Sequence, residues 1–132
     1  KIVDRKKELI INAAGKNMSP ANIEAKVKAS SPLIGQAIAI GDGKPYNVAL
    51  ITLDPDVAPG FVEQHGEDAV QAEVQSGVDA ANEQLARVEQ IKKFKLLRTE
   101  WEPGGDELTP TMKLKRKPIH AKYAEEIEAL YA

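Results

Sequence analysis

The chain has no cysteine, no long apolar run and no large excess of either charge. The missing thiols exclude disulfide bridges, thiolate metal sites and a cysteine nucleophile, and they agree with a reducing compartment. No apolar run approaches the roughly 20 residues of a membrane-spanning helix, and the charged opening from Lys1 to Glu8 does not resemble a secretory signal. We therefore expect a cytoplasmic protein, and the sequence leaves peripheral attachment to a membrane open.

The charge balance argues against recognition of a partner through a bulk electrostatic field. There are 18 Lys and Arg residues against 20 Asp and Glu residues, a formal net charge of −2, so no nucleic-acid partner is expected and any anion site must be local. Glycine-rich nucleotide loops are also missing, because Gly41-Asp42-Gly43 lacks the next glycine and precedes a strand. Neither His65 nor His120 has a second ligand at metal-binding spacing, so no metal site is expected.

Length and residue pattern predict one α+β domain, with a small mixed or antiparallel sheet flanked by helices and preceded by a short two-stranded ribbon. The 132 residues allow a core but are few for an enzyme that encloses a nucleotide and a second substrate. The ribbon is expected from Ile2-Val3 and 9–11, around a charged turn, and it is expected to lie outside the core. Two buried antiparallel strands are predicted at 34–40 and 48–53, and a third strand at 94–98.

Helical signals occupy three further segments. Ser19-Pro20 has an N-cap residue followed by proline at the first helical position, and this helix should end before Pro32. A long helical stretch is expected within 56–90, where Gly77 should weaken it slightly. Pro118 is expected to begin a final helix whose apolar stripe recurs at helical spacing: Ile119, Tyr123, Ile127 and Leu130 or Tyr131.

The strongest candidate for chemistry is Lys113. It follows Thr109-Pro110-Thr111, where proline fixes one backbone angle and the hydroxyls can hydrogen-bond locally, so the ammonium is carried on a shaped loop. Such a lysine can stabilise charge that develops on a phosphoryl or carboxylate oxygen. The alternative is a solvated surface lysine, which residue statistics favour. Four further cations either extend this charge toward a polyanion or are solvated at a helix start: Lys115, Arg116, Lys117 and Lys122.

Two segments at opposite ends of the chain together resemble the AMP-forming acyl-CoA synthetases, whose superfamily includes firefly luciferase and the nonribosomal adenylation domains. The run Ile2-Val3-Asp4-Arg5-Lys6-Lys7-Glu8-Leu9-Ile10 resembles the junction of that family's large and small domains, and 15–20 resembles the loop and helix that follow it. Lys113 lies about ninety residues further on, as in the family. The resemblance covers the whole chain. It implies that 1–132 is a mobile C-terminal domain with a hinge near 4–8 and a large N-terminal domain outside this sequence, which agrees with the missing initiator methionine.

The resemblance implies roles for individual residues. In this family the small domain supplies a lysine to the carboxylate and α-phosphate during adenylation, then rotates and offers another face to coenzyme A. Lys113 matches this catalytic lysine. Arg5, with Asp4 beside it, matches the contact to the adenylate, and Lys7 matches the hinge pivot. Two further residues match the path of the CoA pantetheine: Gly15 and Lys16.

Two features resemble the long-chain fatty-acid branch of the family. Thr111-Met112-Lys113 replaces the usual Ser-Gly-Lys, and the helical stretch within 56–90 is longer than in the smallest members. The implied activity is that of an AMP-forming long-chain fatty acid–CoA ligase, which uses ATP, Mg²⁺, fatty acid and CoA. The isolated domain is expected to be inactive and to hold none of these alone. Ile11 departs from a lysine in some relatives, so no contact carries over at that position.

The sequence leaves two other functions open. One is an adenylating enzyme with another carboxylate, such as an aryl acid, or with a carrier-protein thiol as acceptor, because the acyl tunnel would lie outside this chain. The other is a free-standing module that binds a phosphorylated ligand or an anionic protein face through the cations of 113–122. Without the resemblance, the residues predict only a small α+β domain with a basic loop.

Overall fold

The computed structural model describes residues 9–97, 101–111 and 113–131. The predicted α+β class is confirmed. A two-stranded antiparallel ribbon precedes a three-stranded sheet of order β3-β4-β5. In this sheet β4 is central, antiparallel to β3 and parallel to β5, so the sheet is mixed. The strands are β1 (Ile10–Ile11), β2 (Asn17–Met18), β3 (Ile34–Ile40), β4 (Asn47–Leu53) and β5 (Ile91–Leu97).

Helices cover both faces of the sheet. The α-helices of the described chain are α1 (Pro20–Ala29), α2 (Ala58–His65), α3 (Glu67–Glu83), α4 (Arg116–Lys122) and α5 (Ala124–Tyr131). Side chains alternate along β4, so that Ala49 and Ile51 join the core formed with α1 and α3, while Val48 and Leu50 join the core formed with α4 and α5. The hairpin that carries Lys113, called the lysine hairpin below, is anchored in this second core through Leu108 and Leu114.

The start of α1 follows the local sequence signals. Ser19 is the N-cap, and its Oγ accepts a hydrogen bond from the backbone N–H of Asn22 at 3.2 Å. Pro20 occupies the first helical position, where its missing N–H removes no helical hydrogen bond. The helix ends at Ala29, before Pro32 as predicted.

The ribbon differs from the prediction in its pairing and its burial. Ile10 pairs with Met18 and Ile11 with Asn17, whereas the predicted partner strand, Ile2-Val3, lies outside the described residues. The expectation that this segment is separate from the core was wrong for one face. Ile10 and Met18 are only 5% and 4% exposed and belong to the core on the α1 side of the sheet. Side chains alternate between the two faces even in short strands, so one face of the ribbon is buried.

The expected long helical stretch is two helices. Gly66 separates α2 from α3 with a φ of 88°, a left-handed conformation that glycine adopts without strain and that ends a right-handed helix. Val88, which falls within the predicted helical stretch 56–90, lies instead in a 3-10 turn and is 41% exposed. Gly77 is buried, and a Cβ there would lie 2.9 Å from Ser30 Oγ. This glycine therefore permits close packing of α3 against the end of α1.

The last helix and the last strand also differ in their bounds. The helix begins at Arg116 rather than at Pro118, and it breaks at Tyr123 into α4 and α5. Pro118 still lies in the first turn, where backbone N–H groups have no helical acceptor. Strand β5 begins three residues before the predicted Phe94, and Arg98 lies outside the described residues.

Candidate functional site

Lys113 lies on a hairpin whose two arms are joined near their base. Leu108 and Leu114 face each other in an antiparallel bridge, and the backbone N–H of Lys115 donates to the carbonyl of Glu107 at 2.8 Å. Leu108 is fully buried in the core beneath α4 and α5. The base of the hairpin is therefore part of the packed domain.

Thr109 closes the tip of the hairpin. Its backbone N–H donates to the carbonyl of Lys113 at 2.8 Å, and its Oγ1 accepts from the backbone N–H of Lys113 at 3.0 Å. The hydroxyls of Thr109 and Thr111 lie 3.1 Å apart. The backbone of Lys113 is thus held on both its donor and its acceptor side, as the threonine–proline sequence predicts.

The side chain of Lys113 is exposed. Within the described part of the chain, its ammonium has no hydrogen-bond or ion-pair partner. Neighbouring cations are engaged inside the domain: Lys115 Nζ donates to the carbonyl of Gly105 at 3.0 Å, and Arg116 and Lys122 pair with buried carboxylates. These contacts argue against a continuous anion site, and they show that the three cations are engaged within the domain rather than only solvated at a helix start. Lys117 is exposed as well.

Arg116 is paired with Glu24 of α1. Its two terminal nitrogens donate to the two carboxylate oxygens at 2.6 and 2.8 Å. The carboxylate also accepts the backbone N–H of Ala39 at 2.8 Å. Glu24 is only 6% exposed, so the pair is a buried bidentate contact that connects α1, β3 and α4.

Glu107 is the second buried carboxylate next to the hairpin. Its Oε2 accepts from Lys122 Nζ at 2.6 Å and from the Tyr123 hydroxyl at 3.1 Å, and that hydroxyl accepts from Trp101 Nε1 at 3.1 Å. The hydrogen bond to Glu107 raises the pKa of Lys122, and burial is the main cause of the raised pKa of Tyr123. Sequence reasoning missed Glu107 and Trp101. Their only local signal is that an aromatic and a charged residue flank 102–106, a segment whose proline and glycines are typical of a turn.

The loop with Gly15 and Lys16 is a separate, well-defined turn. The side-chain oxygen of Asn12 accepts from the backbone N–H groups of Ala14 and Lys16, both at 2.9 Å. Gly15 has a φ of 86°, and a Cβ built on it would meet nothing within 4 Å. Both Gly15 and Lys16 are exposed, so the turn presents backbone with open space beside it.

The other predicted site residues, Asp4, Arg5 and Lys7, lie outside the described residues. Of the histidines, His65 packs against Phe61 with ring centroids 4.7 Å apart and the rings tilted by 41°. Partial burial, followed by the nearby Arg116 charge, lowers the pKa of His120. Among the residues that the structure describes, no group of three or more His, Cys, Asp or Glu could hold a metal ion, and no helix is long and apolar enough to cross a membrane.

Curated relatives match 98% to 100% of the chain. The putative fatty-acid–CoA ligase fadD11 of Mycobacterium tuberculosis is 56% identical over 100% of this chain and 25% of its own length. Long-chain-fatty-acid–CoA ligase FadD15 of the same species is 40% identical over 98% of this chain and 24% of its own. Long-chain-fatty-acid–CoA ligase ACSBG1 of Bos taurus is 34% identical over 98% and 22%. The chain therefore spans 25% or less of the length of these relatives.

Solved structures share the fold. The adenylation domain of a carboxylate reductase from Mycobacterium chelonae superposes with a TM-score of 0.79 at 22% identity, over 93% of this chain and 19% of that one. The adenylation domain of a carboxylic acid reductase from Segniliparus rugosus, in complex with AMP and a co-purified carboxylic acid, gives 0.77 at 24% identity, over 98% and 20%. The family model described as the AMP-binding enzyme C-terminal domain matches residues 7–132. The chain belongs to the AMP-binding enzyme C-terminal domain family, as the resemblance of its end segments implied.

Proposed function

We propose that the chain is the mobile C-terminal domain of an AMP-forming long-chain fatty acid–CoA ligase, and that Lys113 supplies the cation for its adenylation step. The hairpin carries this proposal, because it holds the backbone of Lys113 on both sides while leaving the ammonium exposed. The adjacent cations Arg116 and Lys122 are paired inside the domain. Lys113 and Lys117 are the exposed lysines of the segment 113–117, and of the two it is Lys113 that the hairpin holds and that could meet a substrate bound by another domain.

In the proposed adenylation step, a carboxylate oxygen of the fatty acid attacks the α-phosphorus of ATP. The new acyl–phosphate bond forms as the bond to pyrophosphate breaks. Negative charge is shared by the carboxylate and the α-phosphate oxygens in this transition state, and the Lys113 ammonium offers three N–H donors without transferring a proton. Mg²⁺ would enter with ATP as part of the substrate.

In the second step, the CoA thiolate attacks the acyl carbonyl and AMP leaves. The domain would rotate about Lys7, so that the turn with Gly15 and Lys16 lines the pantetheine path and Lys113 moves away. The open space beside Gly15 supports this role, since a ligand can approach backbone that carries no side chain. Arg5 and Asp4 would contact the adenylate. These roles rest on the family resemblance of residues 2–10 and 15–20.

The acyl substrate is proposed from the relatives, two of which carry the name long-chain-fatty-acid–CoA ligase. The full enzyme would work in the cytoplasm, with peripheral contact to a membrane where its substrate partitions. The matched relatives are about four times as long as this chain, so the phosphate loop and acyl tunnel would belong to a large N-terminal domain. The isolated chain is accordingly expected to be inactive.

The test uses the complete enzyme that carries this chain and measures its two half-reactions separately. We expect Lys113→Ala to lower fatty-acid-dependent ATP–pyrophosphate exchange by about 100-fold or more, the scale for removing one transition-state donor. Thioester formation from preformed acyl-adenylate should be unchanged. Lys92→Ala, at an exposed lysine on β5, is the matched control. Equal losses in both half-reactions would contradict the role of Lys113.

The acceptor and the acid are tested with the wild-type enzyme. ATP–pyrophosphate exchange is measured with fatty acids of several chain lengths and with aryl acids, and its rate should be highest with long-chain fatty acids. Transfer should proceed to CoA rather than to a carrier-protein thiol. Preference for an aryl acid or a carrier protein would support the other adenylating functions, and phosphate-ligand binding without any exchange would support the free-standing module.

A further inference from the structure

Glu107 joins the hairpin to the helices beneath it through both its backbone and its side chain. Its carbonyl accepts the backbone N–H of Lys115 at 2.8 Å, which closes the hairpin base. Its carboxylate accepts from Lys122 at the end of α4 and from Tyr123 between α4 and α5. A single residue therefore couples the direction of the hairpin to the position of the last two helices.

The surroundings of Glu107 make this coupling stiff. Glu107 is 5% exposed and Trp101 is 7% exposed. The Trp101 indole donates to the Tyr123 hydroxyl, and the two rings lie 5.9 Å apart between centroids. Leu108, the next residue along the chain, is fully buried. The base of the hairpin thus lies in a packed and hydrogen-bonded environment, whereas Lys113 at its tip is exposed.

Stability alone does not account for a carboxylate at this position. Desolvation of a buried charge offsets much of the attraction to its partner, and well-packed apolar residues often replace such groups at little cost. An apolar side chain, however, makes no hydrogen bonds and so cannot use them to fix the direction of the hairpin. The two donors that reach Oε2 come from different side chains, Lys122 and Tyr123, so they restrain the carboxylate along two directions.

We propose that Glu107 is a positioning residue for adenylation, whose hydrogen-bonded carboxylate sets the direction in which the hairpin presents Lys113. This inference rests on the function proposed for Lys113. The contacts from Glu107 to Lys115 and from Thr109 to Lys113 form successive rungs of one hairpin, so a tilt at the base moves the tip. A displacement of about 1 Å at a reacting group can cost as much as 100-fold in rate.

The experiment compares Glu107→Met and Glu107→Gln in the complete enzyme. Methionine approximates the length of the side chain but cannot accept the two hydrogen bonds, whereas glutamine retains an acceptor oxygen. We expect Glu107→Met to lower kcat for pyrophosphate exchange about tenfold, with the KM for ATP changed less than about twofold, because positioning acts on the transition state. Glu107→Gln should retain most of kcat, and transfer from preformed acyl-adenylate should be unchanged in both variants.

Two reference variants separate failure of this inference from failure of the proposed function. Lys113→Ala must lower exchange selectively, since otherwise the function itself is wrong. Asp79→Asn changes a carboxylate on the exposed face of α3 and should have no effect. If Lys113→Ala behaves as expected while Glu107→Met leaves exchange intact, or lowers both half-reactions equally, the positioning role is wrong. If Glu107→Met does not fold, Tyr123→Phe decides by the same criteria, because it removes one of the two donors to Glu107 and keeps the ring.

Discussion

The carboxylate of Glu24 and the guanidinium of Arg116 form a two-point contact at 2.6 and 2.8 Å although the residues are 92 positions apart. The same carboxylate accepts the backbone N–H of Ala39 on β3, which is an edge strand of the sheet. Glu24 therefore satisfies a backbone donor at an open edge and, through Arg116, fixes the start of α4 just beyond the lysine hairpin.

We expect Arg116→Met to destabilise the chain by about 3 kcal/mol, because it leaves the Glu24 carboxylate buried without its cation. The double variant Glu24→Gln/Arg116→Met should recover most of this loss, since the amide oxygen can still accept from Ala39 and no buried charge remains. Urea unfolding of both variants and of Glu24→Gln completes a double-mutant cycle. Additive losses would mean that the two side chains do not interact energetically.

Thr109 is expected to affect adenylation through the tip of the hairpin. Thr109→Val keeps the β-branched shape but removes the Oγ1 that accepts from the Lys113 backbone at 3.0 Å. We expect a loss of stability of about 1 kcal/mol or less at this partly exposed site. Pyrophosphate exchange in the complete enzyme should fall about tenfold through misplacement of Lys113. Thr111→Val is the matched comparison, because among the described residues the Thr111 hydroxyl contacts the Thr109 hydroxyl and not the backbone of Lys113. A similar effect from both variants would contradict a specific role for the Thr109–Lys113 contact.

Local signals predicted the parts of this fold that depend on neighbouring residues. Ser19-Pro20 marked the start of α1, and the apolar segments marked β3 and β4, because caps and strands are encoded within a few positions. In the same way, the local sequence Thr109-Pro110-Thr111 predicted a hydrogen-bonded loop before Lys113.

Contacts between distant segments were not predictable in this way. The bond from Glu24 to Arg116 and the network around Glu107 depend on how α1, the hairpin and α4 pack together. The break at Gly66 was missed because a single glycine inside a helical segment is often tolerated, and the left-handed backbone that separates the two helices is visible only in the structure.

The hydroxyl of Tyr131 ties the end of α5 to the sheet. Its single proton is shared between the carbonyls of Tyr46 at 2.8 Å and Ile40 at 3.1 Å, and burial raises its pKa from 10.0 to about 12. A raised pKa in the folded state means that the stabilisation is complete below the unfolded pKa and is lost as pH rises from about 10 to about 12. We expect Tyr131→Phe to lower the free energy of unfolding by about 1 kcal/mol at neutral pH.

The pH profile distinguishes this effect from a loss of packing. Because phenylalanine does not ionise, Tyr131→Phe should lose less stability than the wild type between pH 10 and 12. The free energies of unfolding of the two proteins, plotted against pH, should therefore converge over this range. Lys122 and Tyr123 also have raised pKa values, and their contribution is common to both proteins. Parallel curves would show that ionisation of Tyr131 does not weaken the fold.

Gly77→Ala tests whether the approach of α3 to α1 limits the choice of residue. Alanine would add about 1 kcal/mol of helix propensity, but its Cβ would lie 2.9 Å from Ser30 Oγ and 3.1 Å from Ser31 Cβ. The Ser30 hydroxyl is held by its bond to the carbonyl of Val27 at 2.6 Å, so overpacking of about 1–3 kcal/mol should outweigh the gain in propensity. Gly60→Ala in α2, where a Cβ meets nothing within 4 Å, should instead stabilise by up to about 1 kcal/mol. If urea unfolding shows that both substitutions stabilise the chain, the contact at Gly77 is looser than the structure indicates, and helix propensity alone decides.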